Sequence, residues 1–204
     1  MSKIYFDVGA NNGDSGIQYL NGNNIVYGFE PTPKMIDIIK KKVGNNPNYR
    51  LIPVAVSDVA GKSKFKISGQ ADWGCSSLCY FNDNLNETWP GRNDFKITEE
   101  IEVDVIRLDS FVEKEGITEI EFLHVDVQGK DLEVIMGLGN KLNIVKAGVI
   151  EMPTSHKTKL YKDQKYLEND AIEFLNKNGF NVDKVEPNDC FRNEVNIYFS
   201  RIKL

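Results

Sequence analysis

From its third residue onward, this chain alternates apolar runs of strand length with helix-patterned stretches. The runs are KIYFDVG (3–9), NIVYGFE (24–30), YRLIPVAV (49–56), IEFLHVDV (120–127) and KAGVIEM (146–152). Near-continuous apolar character is what a strand needs when helices cover both of its faces, because neither face meets water. Helical patterns fill 13–21, 32–43 and 131–142, with Thr32 and Asp131 placed as N-caps. Strand and helix in alternation predict an α/β fold built on a mostly parallel sheet. A helix around 166–178 is closed by Gly179, and NVDKVEP and EVNIYFSR then form a terminal strand pair across a short polar turn.

Residues 61–110 break the rhythm. GKSKFKI and EIEVDVIRL alternate apolar with polar positions, as half-exposed antiparallel strands do, so this stretch reads as a β-rich insertion. Between them lie Trp73, Tyr80, Phe81, Trp89 and Phe95, mixed with Asp72, Asn82, Asp83, Asn84, Asn86, Arg92 and Asp94. Aromatic faces and amide or carboxylate partners suit a carbohydrate; a packed surface loop is the equal alternative. No repeat or linker divides the 204 residues, and that length fits one domain over 1–204.

Charge and cysteine usage narrow the partners. Lys plus Arg number 25 against 30 Asp plus Glu, so the net charge of −5 offers no summed positive field to a phosphate backbone, and nucleic acid is not expected. No apolar run approaches the roughly 20 residues that span a bilayer, and the N-terminus lacks a basic region followed by an apolar core. No membrane partner and a cytoplasmic location are therefore expected. Cys75, Cys79 and Cys190 read as free thiols in a reducing compartment, and the first two are too far apart for a zinc-binding CxxC.

The chemistry concentrates in FDVGANNG at 6–13, where a hydrophobic strand runs into a glycine-bearing turn and then a helix. Gly9 and Gly13 allow close backbone approach, which makes a nucleotide-binding corner. Seventeen residues after Gly13 the second strand ends in Glu30, whose carboxylate can accept hydrogen bonds from both hydroxyls of a ribose. The plain alternative is a glycine-ended strand and a turn at Pro31. A dinucleotide fingerprint beginning at Gly9 would need glycine at 11 and 14, where Asn11 and Asp14 stand, so NAD and FAD are disfavoured. S-adenosylmethionine has no phosphate, and its cationic sulfonium and amino groups suit an acidic strand end at Asp7.

His124, Asp126 and Gln128 are spaced by two, which puts them on one face at the carboxyl end of a central strand, where open α/β sheets bind ligands. His124 is a candidate base near neutral pH. Asp126 has three open roles: orienting His124, acting directly, or holding a metal with Glu151. A divalent metal has no supporting spacing, and a hydrogen-bonded core histidine is the bland reading of His124. Asp109 is expected as a helix N-cap, and the Lys40–Lys42 run as the solvated end of a helix.

These blocks together resemble the FkbM-like branch of class I S-adenosylmethionine-dependent methyltransferases over nearly the whole chain. The resemblance is carried by FDVGANNGDSG, VYGFEPTP, IPVAVSDVAG, the pair Ser76 and Ser77 before Leu78, VIRLDSFV, IEFLHVDVQGKDLEVIMGL and VIEM. It implies a Rossmann-like sandwich with a mostly parallel seven-stranded sheet, an antiparallel last strand and helices on both faces. It also implies that Asp7, Gly9, Ala10, Asn11, Asn12 and Gly13 cradle the methionine part of S-adenosylmethionine. Glu30 with Pro31 would then serve the ribose, Ala55, Val56, Ser57 and Asp58 the adenine side, and Asp126 the neighbourhood of the transferring methyl. The chain departs from the family where Gln128 makes DVQG instead of DVEG, and where His124 replaces a frequent lysine. The implied reaction is O-methylation of a hydroxyl on a sugar or glycan-related metabolite, a small-molecule or glycan acceptor recognised by the insertion or another subunit, which leaves a homo-oligomer open. The rivals are a non-catalytic S-adenosylmethionine-binding module and a nucleotide-dependent oxidoreductase.

Overall fold

A computed structural model describes residues 2–69, 73–92 and 95–202. Strands β1 (Ile4–Val8), β2 (Ile25–Phe29) and β3 (Tyr49–Ile52) are followed by β4 (Ala55–Val56), β5 (Gly61–Ser68) and β6 (Ile97–Ile106). The rest are β7 (Phe122–Val125), β8 (Ala147–Pro153), β9 (Phe180–Pro187) and β10 (Glu194–Arg201). The α-helices are α1 (Asp14–Ile17), α2 (Pro33–Val43), α3 (Leu85–Thr88), α4 (Leu108–Lys114), α5 (Asp131–Met136) and α6 (Glu168–Lys177).

Seven strands form one sheet in the order β3-β2-β1-β7-β8-β10-β9, and β10 alone runs antiparallel to its neighbours. This is the expected Rossmann-like sandwich, and β1, third in the order beside the central β7, shows why. Phe6, Asp7 and Val8 are all buried, with Phe6 6.0 Å from the Phe111 ring of α4 and Asp7 directed at Gly16 of α1. Successive strand side chains point to opposite faces, so α4 and α1 cover opposite sides of the sheet. Phe29 joins the α4 side, its ring 5.0 Å from that of Phe111. Each of these buried rings contributes roughly 1.5–3 kcal/mol by leaving water.

A second sheet forms in the order β4-β6-β5, in which β5 and β6 pair antiparallel as their alternating pattern predicts. The single run expected at 49–56 is in fact two strands. Pro53, which has no N–H to give a ladder, separates β3 of the large sheet from β4 of the small one.

Helix boundaries needed more correction. The expected helix at 13–21 is α-helical only over Asp14–Ile17. The one at 131–142 stops at Met136 and resumes as a 3-10 helix over Gly139–Ile144, because Gly139 takes the left-handed φ of +52°. Asp131 is not the N-cap of α5; Lys130 is, while the Asp131 carboxylate reaches back to accept from the N–H of Val127 at 2.7 Å and Gly129 at 2.8 Å. Thr32 does precede α2 at the N-cap position but makes no side-chain cap bond. Asp109 likewise lies inside the first turn of α4, behind Arg107 as N-cap, and binds the Arg107 guanidinium at 2.5 Å. Lys40, Lys41 and Lys42 occupy the last turn of α2 as expected, with Lys42 paired to Asp14 at 2.6 Å.

Candidate active site

The chain leaves β1 through Gly9, whose φ of +85° is open to glycine at little cost. The N–H groups of Gly9 and Ala10 donate to the Phe29 carbonyl at 3.1 and 2.9 Å, which ties the turn to the end of β2. Immediately beyond β2 stands Glu30. Its Oε2 accepts from the Asn11 N–H at 2.8 Å and its Oε1 from the Thr32 N–H at 2.7 Å. The Thr32 side chain gives it a third hydrogen bond, and since a carboxylate has about four acceptor sites, one remains for a ligand. Burial pushes the Glu30 carboxyl up to about 7 against the pull of those hydrogen bonds.

Gly9, Asn11 and Glu30 open onto a cavity at the carboxyl ends of β1 and β2. Its far wall is apolar, made by Met35, Val54, Ala55, Val56, Phe65 and Leu78. Its charged lining consists of Glu30 and Asp126; among the described residues no Lys or Arg lines it.

A second cavity, of about 640 Å³, shares Gly74, Asp126 and Gln128 with the first. Trp89, Arg92, Phe95 and Leu160 line one part of it, and Glu151, Asn188, Asp189 and Glu194 another. The shared wall is held by one side chain. Gln128 Nε2 donates to Asp126 Oδ1 at 2.5 Å and to Glu151 Oε2 at 2.8 Å, while its Oε1 lies 2.8 Å from the Tyr161 hydroxyl. Gln128 sits at a left-handed φ of +61°, and the Ser77 hydroxyl donates to its carbonyl. Asn188 completes the set by donating to the other Glu151 oxygen. Burial raises the proton affinity of Asp126, with His124 and the Gln128 bond opposing it. Glu151 is pushed well above the carboxylate range by burial first and then by the charge of Asp126 and Glu194.

The structure brings Gly9, Asn11, Glu30, Pro31, Ala55, Val56 and Asp126 together around the first cavity, and Asp126 and Glu151 around the second. It places Asp7, Ala10, Asn12, Gly13, Ser57 and Asp58 outside the lining of the first. Gly13 is turned toward Ile39, Asn12 caps the Asp14 N–H at 3.0 Å, and Ser57 and Asp58 line a separate depression with Lys62 and Lys130. His124 lines neither cavity; its Nδ1 lies 2.9 Å from Asp7 Oδ1. Burial lowers the basicity of that ring, but the hydrogen bond and charge of Asp7 outweigh it, with Asp126 and Asp131 adding to them, and the net shift is upward. The space between Asp126 and Glu151 holds the Gln128 amide, and among the described residues no group of three or more His, Cys, Asp or Glu is arranged for a metal.

Of the aromatics between β5 and β6, Phe81, Trp89 and Phe95 pack with Tyr161 in one small core, Phe81 stacked on Tyr161 at 5.4 Å, and Trp89 and Phe95 also reach the second cavity. Asp72 and Asp94 lie outside the described residues. Sequence reasoning missed Asn188, Asp189, Glu194 and Tyr161. An acid opening the apolar run EVNIYF was the available signal for Glu194, comparable to Glu151 within VIEM. None of the three cysteines is in a disulfide, and no described helix is long and apolar enough to cross a membrane.

Comparison with known proteins agrees with this architecture. The chain is 30% identical over 141 residues to the 2-O-methyltransferase NoeI of Sinorhizobium fredii (strain NBRC 101917 / NGR234), a match covering 66% of this chain and 56% of NoeI. The chain thus spans little more than half the length of that curated relative. Among solved structures, a methyltransferase FkbM from Methylobacillus flagellatus KT is 13% identical, with a TM-score of 0.56 over 97% of this chain and 43% of that one. Aeropyrum pernix fibrillarin, solved with natively bound S-adenosyl-L-methionine, is 14% identical, with a TM-score of 0.52 over 97% of this chain and 66% of that one. Likeness at that identity shows the shared fold. Residues 7–182 match the methyltransferase FkbM domain, and the chain belongs to that family.

Proposed function

We propose that this chain is a methyltransferase domain that uses S-adenosylmethionine to methylate a hydroxyl oxygen, on a sugar or glycan-related acceptor. The observation that carries the reading is the first cavity: two carboxyls, no cationic side chain among the described residues, and an apolar wall beside Glu30. A diphosphate-bearing dinucleotide would meet charge repulsion there, whereas a cationic, phosphate-free nucleoside would not. Glu30 has an acceptor site left for a ribose hydroxyl, and Val54, Ala55, Val56 and Phe65 offer the apolar surface an adenine needs. When bound, S-adenosylmethionine supplies a methyl group made electrophilic by its sulfonium.

The chain's own contribution is alignment and proton removal. Asp126 lines both cavities and is the proposed base for the acceptor hydroxyl, since burial has already raised its proton affinity. Gln128 fixes the Asp126 and Glu151 carboxylates against each other, and Tyr161 fixes Gln128. The proposed acceptor cavity draws its wall from Trp89, Arg92 and Phe95 on one side and from the β9–β10 turn on the other, where Asn188, Asp189 and Glu194 offer polar partners to hydroxyl groups. Similarity to a 2-O-methyltransferase supports oxygen as the target.

The deciding experiment is calorimetric titration with S-adenosylmethionine, S-adenosylhomocysteine and NAD. Binding of the first two alone is expected. Preference for NAD would return the oxidoreductase reading, and binding without turnover across a broad panel of hydroxyl acceptors would favour a cofactor-binding module.

A further inference from the structure

The second cavity carries four carboxyl residues, Asp126, Glu151, Asp189 and Glu194, against the single cation Arg92 among its described lining. Three of the four are already engaged. Asp126 and Glu151 share the Gln128 amide, and Asp189 accepts from the N–H groups of Phe191 at 2.8 Å, Asn193 at 2.8 Å and Glu194 at 3.0 Å. Glu194 differs. It is only 7% exposed, yet its carboxyl makes no hydrogen bond or ion pair among the described residues.

Its position is not an accident of a loose loop. The Glu194 N–H is held by Asp189, its carbonyl accepts from the Asn188 N–H at 2.9 Å, and it pairs with Pro153 in the β8–β10 ladder. A rigid backbone therefore holds a carboxyl that has no donor of its own among the described residues in the wall of a cavity that adjoins the proposed methyl-donor site. A ligand that brings a donor into the cavity supplies the hydrogen bond this carboxyl lacks.

Building on the functional reading above, we propose that Glu194 is the acceptor-recognition residue. It takes a hydrogen bond from a hydroxyl or a protonated amine of the acceptor, and the acceptor is a neutral or amine-bearing polyol that carries no phosphate or carboxylate. Once a donor-bearing ligand has drawn Glu194 into its ionised form, a phosphate or carboxylate on the same acceptor would meet like charge from it, whereas a hydroxyl or an ammonium would not. Burial pushes the Glu194 carboxyl up to about 8, assisted by the charge of Asp126, Asp131 and Asp189 and opposed by Arg92. The carboxyl is thus largely protonated near neutrality, a state from which a donor-bearing ligand recruits the ionised form.

The test is calorimetry on the full chain saturated with S-adenosylhomocysteine, using methyl glucoside, methyl glucosaminide, glucose 6-phosphate and methyl glucuronide as probes. The first two are expected to bind at least roughly tenfold more tightly than the last two. Glu194→Gln should weaken the favoured probes by roughly tenfold or more, leave S-adenosylhomocysteine affinity unchanged, and melt at or above the wild-type temperature. That last readout separates recognition from a structural role, which would lower the melting temperature and leave probe binding alone. Equal binding of the anionic probes, an unaffected Glu194→Gln variant, or no probe binding while S-adenosylhomocysteine binds would each overturn the proposal. Failure of S-adenosylhomocysteine itself to bind would overturn the functional reading and this inference with it.

Discussion

Gly9 lies so close to Asp126 that a Cβ added to the glycine would stand 1.8 Å from the Asp126 carbonyl oxygen. The turn after β1 and the end of β7 are thus in backbone contact, and the Asp126 N–H donates to the Val8 carbonyl at 2.9 Å. Gly9→Ala therefore needs both a shift of backbone and a left-handed φ for alanine. Together these should cost at least about 3 kcal/mol. A denaturant midpoint equal to wild type would show that the two segments can separate freely.

Glu30 links the same turn to β2 and makes stability depend on pH. Its folded pKa of about 7 lies above the ordinary carboxylate value, so the folded chain holds a proton the unfolded chain has lost. The contribution is fully present below about pH 4.5 and disappears as pH rises through 7. Glu30→Gln should flatten that part of the stability profile of the free protein. It should also weaken S-adenosylmethionine binding by about 1.5–3 kcal/mol, the scale of charged hydrogen bonds. Calorimetry and urea melts between pH 5 and 8 check both, and an unchanged affinity would remove Glu30 from the site.

Asp126→Asn keeps the shape of the shared wall but removes the proposed base. Turnover should fall by two orders of magnitude or more, within the range general bases contribute, while the melting temperature changes little. Normal turnover in this variant would transfer the role to another group, with Glu151 the nearest candidate.

Gln128→Glu replaces the donor between Asp126 and Glu151 with a third carboxyl. At pH 8 this should destabilise the chain by about 2–4 kcal/mol, because two buried carboxylates lose their common donor. The loss should shrink at pH 5, where the added group and its neighbours are protonated. Equal destabilisation at the two pH values would show that the network is not electrostatic.

His124 pairs with Asp7 on the adjacent strand, in register across β1 and β7. Its folded pKa is raised, so its contribution to stability is complete below about 6.5 and is lost as pH climbs through the raised value. His124→Gln should therefore cost more at pH 6 than at pH 9. Because His124 lines neither cavity, S-adenosylhomocysteine affinity should stay within about threefold of wild type, a change below 1 kcal/mol. A large drop in affinity would place the imidazole in the cofactor site after all.

The parts of the fold that could be read in advance were those governed by local pattern. β1, β2, β7 and β8 fell within two residues of their apolar runs at each end, because burial on both faces leaves a continuous signature. Glu30 and Gly9 were legible for a related reason: each sits at the end of a strand whose limits were clear. His124 was not. A strand period tells which face a side chain shares but not what that face meets, and Asp7 was waiting there from a strand 117 residues away. The Asp131 loop-back and the left-handed Gln128 also had no local cue, since both depend on the turn between β7 and α5 closing on itself. Glu194 and Asn188 join the site only because β10 pairs with β8 in the opposite direction, a relation between distant segments that no window of sequence displays.

The wall of Gly74, Asp126 and Gln128 divides the two cavities so that nearly all their other lining residues differ. Whatever enters one side meets residues from the stretches 9–35, 54–65 and 76–78, and whatever enters the other meets Trp89, Arg92 and Phe95 and residues from 151–160 and 188–194. Substitutions that retune what is modified can therefore accumulate in the second set without disturbing the first. Descendants of such a chain can exchange one customer for another while keeping the same supplier.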